Sequence, residues 1–210
     1  MRYIIKNMEP HELLKYKETP GVCFDEMDSQ TKTAVKSSLL LEQGYLCCYC
    51  GKQIELDANT ILEHLLPRGV PQYRSLELNY ENILASCDGG QGERASGNKR
   101  FPEYCDSKKN NNILPITPLD PTCECRFIYD EVGEIHPVVA NDNDAARTID
   151  ILGLNNPYLN HCRKAVIDAY KDLGFSHDQW INELERLNSK KDKLIEFCFV
   201  ARYYIQSYKI

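Results

Sequence analysis

Apolar and polar positions follow different spacings in different parts of the chain. Residues 10–16 and 28–43 repeat apolar side chains at helical spacing, and Gly44 is a natural stop for the second helix. Residues 61–66 and 82–86 are short runs typical of strands. The pattern therefore predicts a helical beginning followed by a region of short extended segments.

The second half of the chain returns to helical spacing after a predicted hairpin. Residues 88–98 are polar and rich in glycine, which predicts a loop of low structural content. Residues 130–133 form a turn-like stretch between two strand-like runs, 126–129 and 134–137. The remaining predicted helices cover residues 105–112, 144–152, 157–173 and 177–208.

The last predicted helix, from His177 to Tyr208, carries an apolar seam at alternating intervals of four and three residues, with a break at Lys191. A seam of this kind packs either against other helices of the same domain or against a partner in a coiled coil. We favour packing within the domain and keep assembly through residues 177–208 as the alternative. The apolar members of the seam are Trp180, Leu184, Leu187, Leu194, Cys198, Ala201 and Ile205.

These elements predict an α+β fold with four consecutive parts. Residues 1–44 form an N-terminal helical segment, and residues 45–115 form a core of short segments. Residues 116–140 form a connection that contains the hairpin, and residues 141–210 form a C-terminal helical region.

The composition is that of a folded domain rather than a disordered or fibrous chain. Of its 210 residues, 42% are hydrophobic and 27% are charged, which is enough apolar material for a core. The longest apolar stretches fall far short of the roughly 20 residues that span a bilayer. The first residues are charged and mixed, unlike a signal peptide. We therefore expect a cytoplasmic protein without membrane attachment.

Ten cysteines in a chain without a secretion signal argue against a disulfide framework and for metal binding or reduced core thiols. Cys47-x-x-Cys50 presents two thiolates from a tight turn. The more distant Cys87 and Cys105 can close a four-cysteine structural zinc site around an inserted loop.

The other cysteines leave alternatives open. Cys48 can take the place of Cys47, and Cys123 with Cys125 can compete as ligands. The remaining cysteines are Cys23, Cys162 and Cys198. They lie among apolar neighbours or on a helical pattern, so we predict buried thiols that act as small hydrophobic side chains.

The net charge of −6 argues against a general nucleic-acid coat protein, which binds phosphates through an excess of Lys and Arg. The acidity is local, however. Residues 111–160 carry 2 basic and 8 acidic side chains, whereas residues 63–110 carry 7 of each. Residues 94–109 have a local excess of positive charge. A nucleic-acid substrate is therefore compatible with the overall charge.

Several polar residues occur in a fixed order among the cysteines. Glu63 and His64 lie between the two cysteine pairs, Asn82 opens the second predicted strand, and Asp106 directly follows Cys105. This order resembles that of the HNH endonuclease family, in which a ββα-metal motif is commonly embedded in a cysteine-bound zinc knuckle.

The resemblance implies a ββα-metal core and a role for each of these residues. His64 would be the general base, because a neutral imidazole accepts a proton from water near cellular pH. Glu63 and Asp106 would hold a catalytic Mg²⁺ or Mn²⁺, which stabilises charge on a leaving oxygen. Asn82 would brace the loop that orients His64, and the four cysteines would bind structural Zn²⁺.

Four further stretches resemble one group within this family, the HNH subunit of Septu-type anti-phage defence systems, including those attached to retrons. Members of that group work with an ATPase, so the resemblance implies an ATPase partner here. The similarity covers roughly residues 10–165. The stretches are 41–47, 79–87, 116–121 and 151–155.

The expected activity is metal-dependent hydrolysis of DNA, with Arg68, Lys108 and Lys109 as candidate contacts to the phosphate backbone. Two alternatives remain. One is an RNase of the same fold directed against tRNA, because fold does not determine substrate. The other is a zinc-stabilised interaction module without activity.

Overall fold

The computed structural model describes residues 1–189 and 193–210, which form an α+β structure. The strands pair in two separate antiparallel hairpins, β1 with β2 and β3 with β4. The helices are α1 (His11–Lys17), α2 (Ser29–Gln43), α3 (Gln91–Ala95), α4 (Cys105–Lys109), α5 (Asn143–Ile151), α6 (Pro157–Lys171), α7 (His177–Asn188) and α8 (Cys198–Tyr208). The strands are β1 (Thr60–His64), β2 (Ile83–Cys87), β3 (Phe127–Tyr129) and β4 (Ile135–Pro137).

Strand β2 lies at the centre of the part of the chain that carries the predicted motif. All five of its residues are buried, and helices α2 and α4 both pack against it. Its antiparallel register with β1 places His64 beside Ile83 and Thr60 beside Cys87. The consecutive order β1, β2, α4 therefore brings the end of β1 and the start of α4 to the same region.

Local sequence determines where helix α2 begins and ends. The Asp28 carboxylate accepts a hydrogen bond from the Thr31 N–H at 2.8 Å, which caps the N-terminus. Gly44 ends the helix with a φ of 63°, and a Cβ atom there would lie 2.6 Å from the side chain of Leu194. Glycine is therefore required for both backbone and packing reasons.

Buried Gln43 joins α2 to β2. Its amide nitrogen donates to the carbonyls of Leu46 and Ala85, each at 2.8 Å, and its amide oxygen accepts from the Ala85 N–H at 2.8 Å. An ion pair between Lys6 and Glu42 lies beside this contact, and the Lys6 ammonium also donates to the Ile83 carbonyl. The helix is thus held at a fixed position relative to the hairpin.

The region after Asp88 differs from the predicted loop, because α3 forms within it. The Asp88 carboxylate accepts hydrogen bonds from the N–H groups of Gly90 and Gly92, which organises the turn into the helix. A five-residue helix in a polar, glycine-rich segment has no apolar periodicity, so the pattern does not predict it.

The prediction of one long helix over 177–208 is wrong, because the chain forms α7 and α8, and residues 193–197 before α8 are not helical. The Leu194 N–H donates to the Gly44 carbonyl and the Phe197 N–H donates to the Gly51 carbonyl. Phe197 has a φ of 53°, outside the helical range. These tertiary hydrogen bonds replace helical ones, and Lys191 lies outside the described residues.

The apolar seam is buried inside this chain, as favoured from the sequence. Its members pack with Leu46 and against Val166, Tyr170 and Phe175. The apolar surface offered for assembly through 177–208 is therefore already covered by the rest of the domain. Of the three cysteines predicted to be buried, Cys198 is buried, whereas Cys23 and Cys162 are partly exposed.

The larger core draws on every part of the chain, with members in α1, α2, β2, the β3–β4 hairpin, α6 and α8. The hairpin itself is closed by Asp130, whose carboxylate accepts from the N–H groups of Val132 and Glu134 and contacts His136. Among the described residues, every helix is too short or too polar to cross a lipid bilayer.

We expect Gln43→Leu to lower the free energy of unfolding by about 2–4 kcal/mol, because it leaves the buried Ala85 N–H and Leu46 carbonyl without their partner. Urea denaturation measures the change. Leu41→Ala is the matched control, since Leu41 lies on the same helix and is 55% exposed. An equal effect of the two substitutions would contradict a joining role for Gln43.

Candidate active site and cysteine cluster

Four buried cysteines converge from three elements. Cys47 and Cys50 lie in the turn that follows α2, Cys87 ends β2 and Cys105 begins α4. Their sulfur atoms all lie within 4.8 Å of one another. The Sγ atoms of Cys47 and Cys105 are 3.8 Å apart, and those of Cys50 and Cys87 are 3.9 Å apart.

These distances fit a tetrahedral zinc site. With Zn–S bonds of about 2.3 Å, the edges of a ZnS₄ tetrahedron are about 3.8 Å. Burial raises the pKa of the Cys105 thiol well above its usual range. A divalent cation bound by the four sulfur atoms would reverse this preference and stabilise thiolates. The cluster is therefore compatible with structural zinc.

The alternative zinc ligands lie outside this cluster. Cys48 is buried next to Cys47 but is not one of the four converging residues, and its N–H donates to the Ala85 carbonyl. Cys123 is buried elsewhere and Cys125 is exposed. The structure thus brings together the four cysteines first favoured from the sequence.

The backbone around the cluster is specialised. Gly51, directly after Cys50, has a φ of 77°, and a Cβ atom there would lie 2.2 Å from the Phe199 ring. Cys105 also has a positive φ, 51°, which is uncommon for a residue with a side chain. Since its N–H donates to the Leu152 carbonyl, the packing of α4 holds this conformation.

Glu63 lies on β1 with its carboxyl group buried between three polar side chains. The Tyr49 hydroxyl donates to Oε1 at 2.8 Å, and the Lys109 ammonium lies 2.7 Å from the same oxygen. The Asp106 carboxyl group of α4 is also close enough to that of Glu63 to affect its pKa. Tyr49 lies between the two knuckle cysteines, so it connects the cysteine cluster directly to Glu63.

Two acidic groups are thus adjacent in a buried place. The pKa of Glu63 is raised to about 8, mainly by burial and also by Asp106, whereas the charge of Lys109 acts in the opposite direction. Two adjacent carboxylates repel each other, and a divalent cation between them removes this repulsion and gains the oxygen ligands that it prefers. Glu63 and Asp106 therefore fit a hard divalent cation.

His64 follows Glu63 and is also buried. Its Nε2 lies 2.9 Å from the Glu77 carbonyl oxygen. A carbonyl only accepts, so Nε2 carries the hydrogen and Nδ1 keeps a free lone pair in the neutral ring. Burial lowers the pKa of His64, and the charges of Arg68 and Lys109 lower it further, against the hydrogen bond to Glu77. The ring is therefore neutral near pH 7.

Asn82 holds the loop that follows His64. Its side-chain oxygen accepts from the Leu66 N–H at 2.8 Å, and its side-chain nitrogen donates to the carbonyls of Leu66 and Leu76 at 3.0 and 3.3 Å. Leu76 immediately precedes Glu77, the partner of His64. This geometry is what a residue bracing the orientation of His64 requires.

Glu63, His64 and Asp106 line one open cleft of about 700 Å³. Four basic side chains line it as well, Arg68 and Arg74 from the loop after β1 and Lys32 and Lys36 from α2. Sequence reasoning missed Lys32 and Lys36, whose only signal is an i, i+4 spacing on a predicted helix. It also missed Tyr49, because the C-x-x-C spacing identifies only the cysteines and not the residues between them.

The predicted phosphate contacts have different positions. Arg68 lines the cleft, where it pairs with Asp25 at 2.9 Å and lies over the Phe24 ring. Lys108 is exposed and lies 3.9 Å from Asp150. The prediction for Lys109 is wrong, since its side chain is only 1% exposed and its ammonium binds Glu63 and the His64 carbonyl. The packing of α4 against the hairpin turns this lysine inward.

Comparison with known proteins decides the family. No protein-family model matches the chain. The chain is 33% identical over 173 residues to the HNH endonuclease assigned to retron Vc95 of Vibrio cholerae serotype O1 biovar El Tor. The match covers 77% of this chain and 80% of that protein.

The chain belongs to the HNH endonuclease family. The residues that carried the resemblance in sequence are Glu63, His64, Asn82 and Asp106. In this HNH protein they lie on β1, immediately before β2 and on α4. The structure brings three of them to one cleft and places Asn82 directly behind it.

Purified protein should contain about one zinc ion per chain, because four thiolates at tetrahedral spacing match one structural site. We expect Cys105→Ser to lose most of this zinc, as measured by elemental analysis. Cys123→Ser is the matched control, since Cys123 is buried but lies outside the cluster. Zinc retained by Cys105→Ser would exclude this ligand set.

Lys109→Met should lower the free energy of unfolding by about 2–4 kcal/mol, because it leaves the buried Glu63 carboxyl group and the His64 carbonyl without their shared ammonium donor. Adding Glu63→Gln to this variant should recover part of the loss. The neighbouring substitution Lys108→Met changes an exposed side chain and should stay within about 0.5 kcal/mol of wild type. Chemical denaturation of the Lys108→Met and Lys109→Met variants at matched zinc content measures the difference. Similar losses of stability in the two variants would contradict a buried structural role for Lys109.

Proposed function

We propose that this chain is a metal-dependent endonuclease that hydrolyses DNA phosphodiester bonds, with β1, β2 and α4 as its ββα-metal motif. The observation that carries the proposal is the convergence of Glu63, His64 and Asp106 in one cleft with basic walls. Membership of the HNH family and the similarity to an endonuclease assigned to a retron support the same conclusion.

In the proposed reaction His64 takes the proton from a water molecule, for which Nδ1 has the free lone pair. The water oxygen forms a bond to phosphorus in line with the bond to the 3′-oxygen, which breaks. The departing 3′-oxygen takes a proton from solvent water and His64 returns its proton to solvent, so the products are a 5′-phosphate and a 3′-hydroxyl. A bound Mg²⁺ or Mn²⁺ would supply charge stabilisation for the departing oxygen.

The protein residues prepare this step. Glu63 and Asp106 would hold the cation, and Lys109 and Tyr49 fix the position of the Glu63 carboxyl group. Asn82 keeps the loop after β1 in place, and the Glu77 carbonyl holds the ring tautomer of His64. We propose that zinc at the four cysteines holds β2, α4 and the knuckle together and leaves the chemistry to the cleft.

We further propose that the chain is the nuclease effector of a bacterial anti-phage system of the Septu or retron type and that it acts with an ATPase. The sequence resemblance to Septu HNH subunits supports the ATPase. The net charge of −6 also agrees with a nuclease whose unaided affinity for DNA is low. A partner that delivers the substrate would compensate for this.

We expect wild-type protein to nick supercoiled plasmid in the presence of Mg²⁺ or Mn²⁺, with and without the ATPase added. His64→Ala should reduce the rate about 100-fold or more, because general-base catalysis typically contributes that much. His161→Ala, at an exposed histidine outside the cleft, should retain activity.

Total tRNA is incubated in parallel to separate the candidate substrates. Cleavage of tRNA but not of plasmid would replace the DNase with the RNase alternative. Equal nicking by wild type and His64→Ala would remove the assignment of His64. Correctly folded, zinc-loaded protein that cleaves neither substrate, even with the ATPase, would favour the inactive interaction module.

A further inference from the structure

Helix α2 contributes two lysines to the cleft, although it lies outside the strands and helix that carry the family motif. Lys32 and Lys36 are four residues apart, so they lie on the same face of the helix. Both are partly buried rather than extended into solvent. This helix therefore provides positive charge to the same space that Glu63 and His64 line.

The position of these lysines relative to His64 is well determined. Val35 and Leu39, on the buried side of α2, are inaccessible to solvent, and Gln43 bonds the helix to β2. The Lys36 ammonium donates to the Asp57 carbonyl at 2.9 Å, which ties α2 to the loop before β1. Two lysines on a firmly packed helix keep a fixed distance from the catalytic residues.

Neither lysine has a carboxylate within ion-pair distance among the described residues, although Lys32 interacts at longer range with Asp25 and Lys36 with Asp57. Within the part of the chain that the structure describes, Lys32, Lys36 and Arg74 take part in no ion pair, whereas Arg68 is paired with Asp25. Partial burial lowers the pKa of Lys36, so its charged form lacks some of the water that stabilises an exposed ammonium group. An anion entering the cleft would restore that stabilisation.

The cleft is lined by more positive than negative side chains, whereas the whole chain has a net negative charge. The chain carries a net charge of −6, but four cations line the cleft against the two carboxyl groups of Glu63 and Asp106. Lys109 lies behind Glu63 and offsets its charge further. Local positive charge in a concave site concentrates polyanions there, even when the whole surface repels them.

We propose that Lys32 and Lys36 form a phosphate-binding edge of the cleft, which holds backbone phosphates of DNA next to the phosphodiester that faces His64. The inference rests on the proposed function and adds to it a binding element from α2. Through this element an acidic protein achieves local affinity for the substrate at the site of reaction. The contact is to phosphate, so it gives no preference among bases.

The test measures binding separately from cleavage. Every protein carries His64→Ala, so that a fluorescent 30-base-pair DNA duplex stays intact in Mg²⁺, and anisotropy gives the Kd at several salt concentrations. K32Q/K36Q should raise the Kd roughly tenfold and make the slope of log K against log salt shallower by about 2, one for each lost phosphate contact.

The matched control is K164Q/K171Q. It removes the same charge from two exposed lysines of α6 that lie away from the cleft, and it should leave the Kd within twofold and the slope unchanged. Thermal unfolding and zinc content of both double variants show whether each is folded. Because α2 is held by its apolar side and Gln43, both variants should match the His64→Ala parent.

The proposal is overturned if the two double variants lose affinity equally, or if the His64→Ala parent shows no DNA binding at all. These outcomes differ from failure of the proposed function, which is decided by cleavage. Wild type that nicks plasmid while K32Q/K36Q binds like the control would keep the endonuclease and remove the phosphate-binding edge. If K32Q/K36Q loses binding and the control does not, but wild type cleaves no plasmid, the phosphate-binding edge is kept and the endonuclease is removed.

Discussion

The convergence of four cysteine sulfur atoms is the constraint on which the candidate site depends. The cluster joins the turn after α2, the end of β2 and the start of α4 at one point. Both strands of the hairpin are only five residues long, and a hairpin of that size is marginal alone. One metal ion bound by three separate segments would hold them at a fixed distance, and Tyr49 transmits that position to Glu63.

The candidate site is built from buried polar groups whose partners are other residues of the same site. Lys109 holds both Glu63 and the backbone of His64, Glu77 orients the imidazole, and Asn82 fixes the segments on either side. Such a network is costly when one member is missing, because the remaining groups stay buried without partners. The same interactions that orient the reactive atoms therefore stabilise the local fold.

The C-terminal helices have a structural role that the motif residues do not reveal. The chain between α7 and α8 bonds to the carbonyls of Gly44 and Gly51, on either side of Cys47 and Cys50. Phe199 packs so closely over Gly51 that no side chain fits there. The C-terminal region thus supports the knuckle from outside, and its apolar seam packs against Leu46 and α6.

The sequence by itself determined the α+β class, the β3–β4 hairpin, the presence of strands β1 and β2 and the extent of α2, and it favoured the four converging cysteines, because these follow from local spacing, capping residues and ligand chemistry. It also pointed to the family through the order of Glu63, His64, Asn82 and Asp106. Only the tertiary structure decided that Lys109 faces inward, that Lys32 and Lys36 face the cleft and that 177–208 divides into two helices. Each of these features depends on which surfaces pack together and on hydrogen bonds between residues distant in sequence, such as Leu194 with Gly44. The periodicity of a single segment cannot predict such contacts, because it reflects only residues close in sequence.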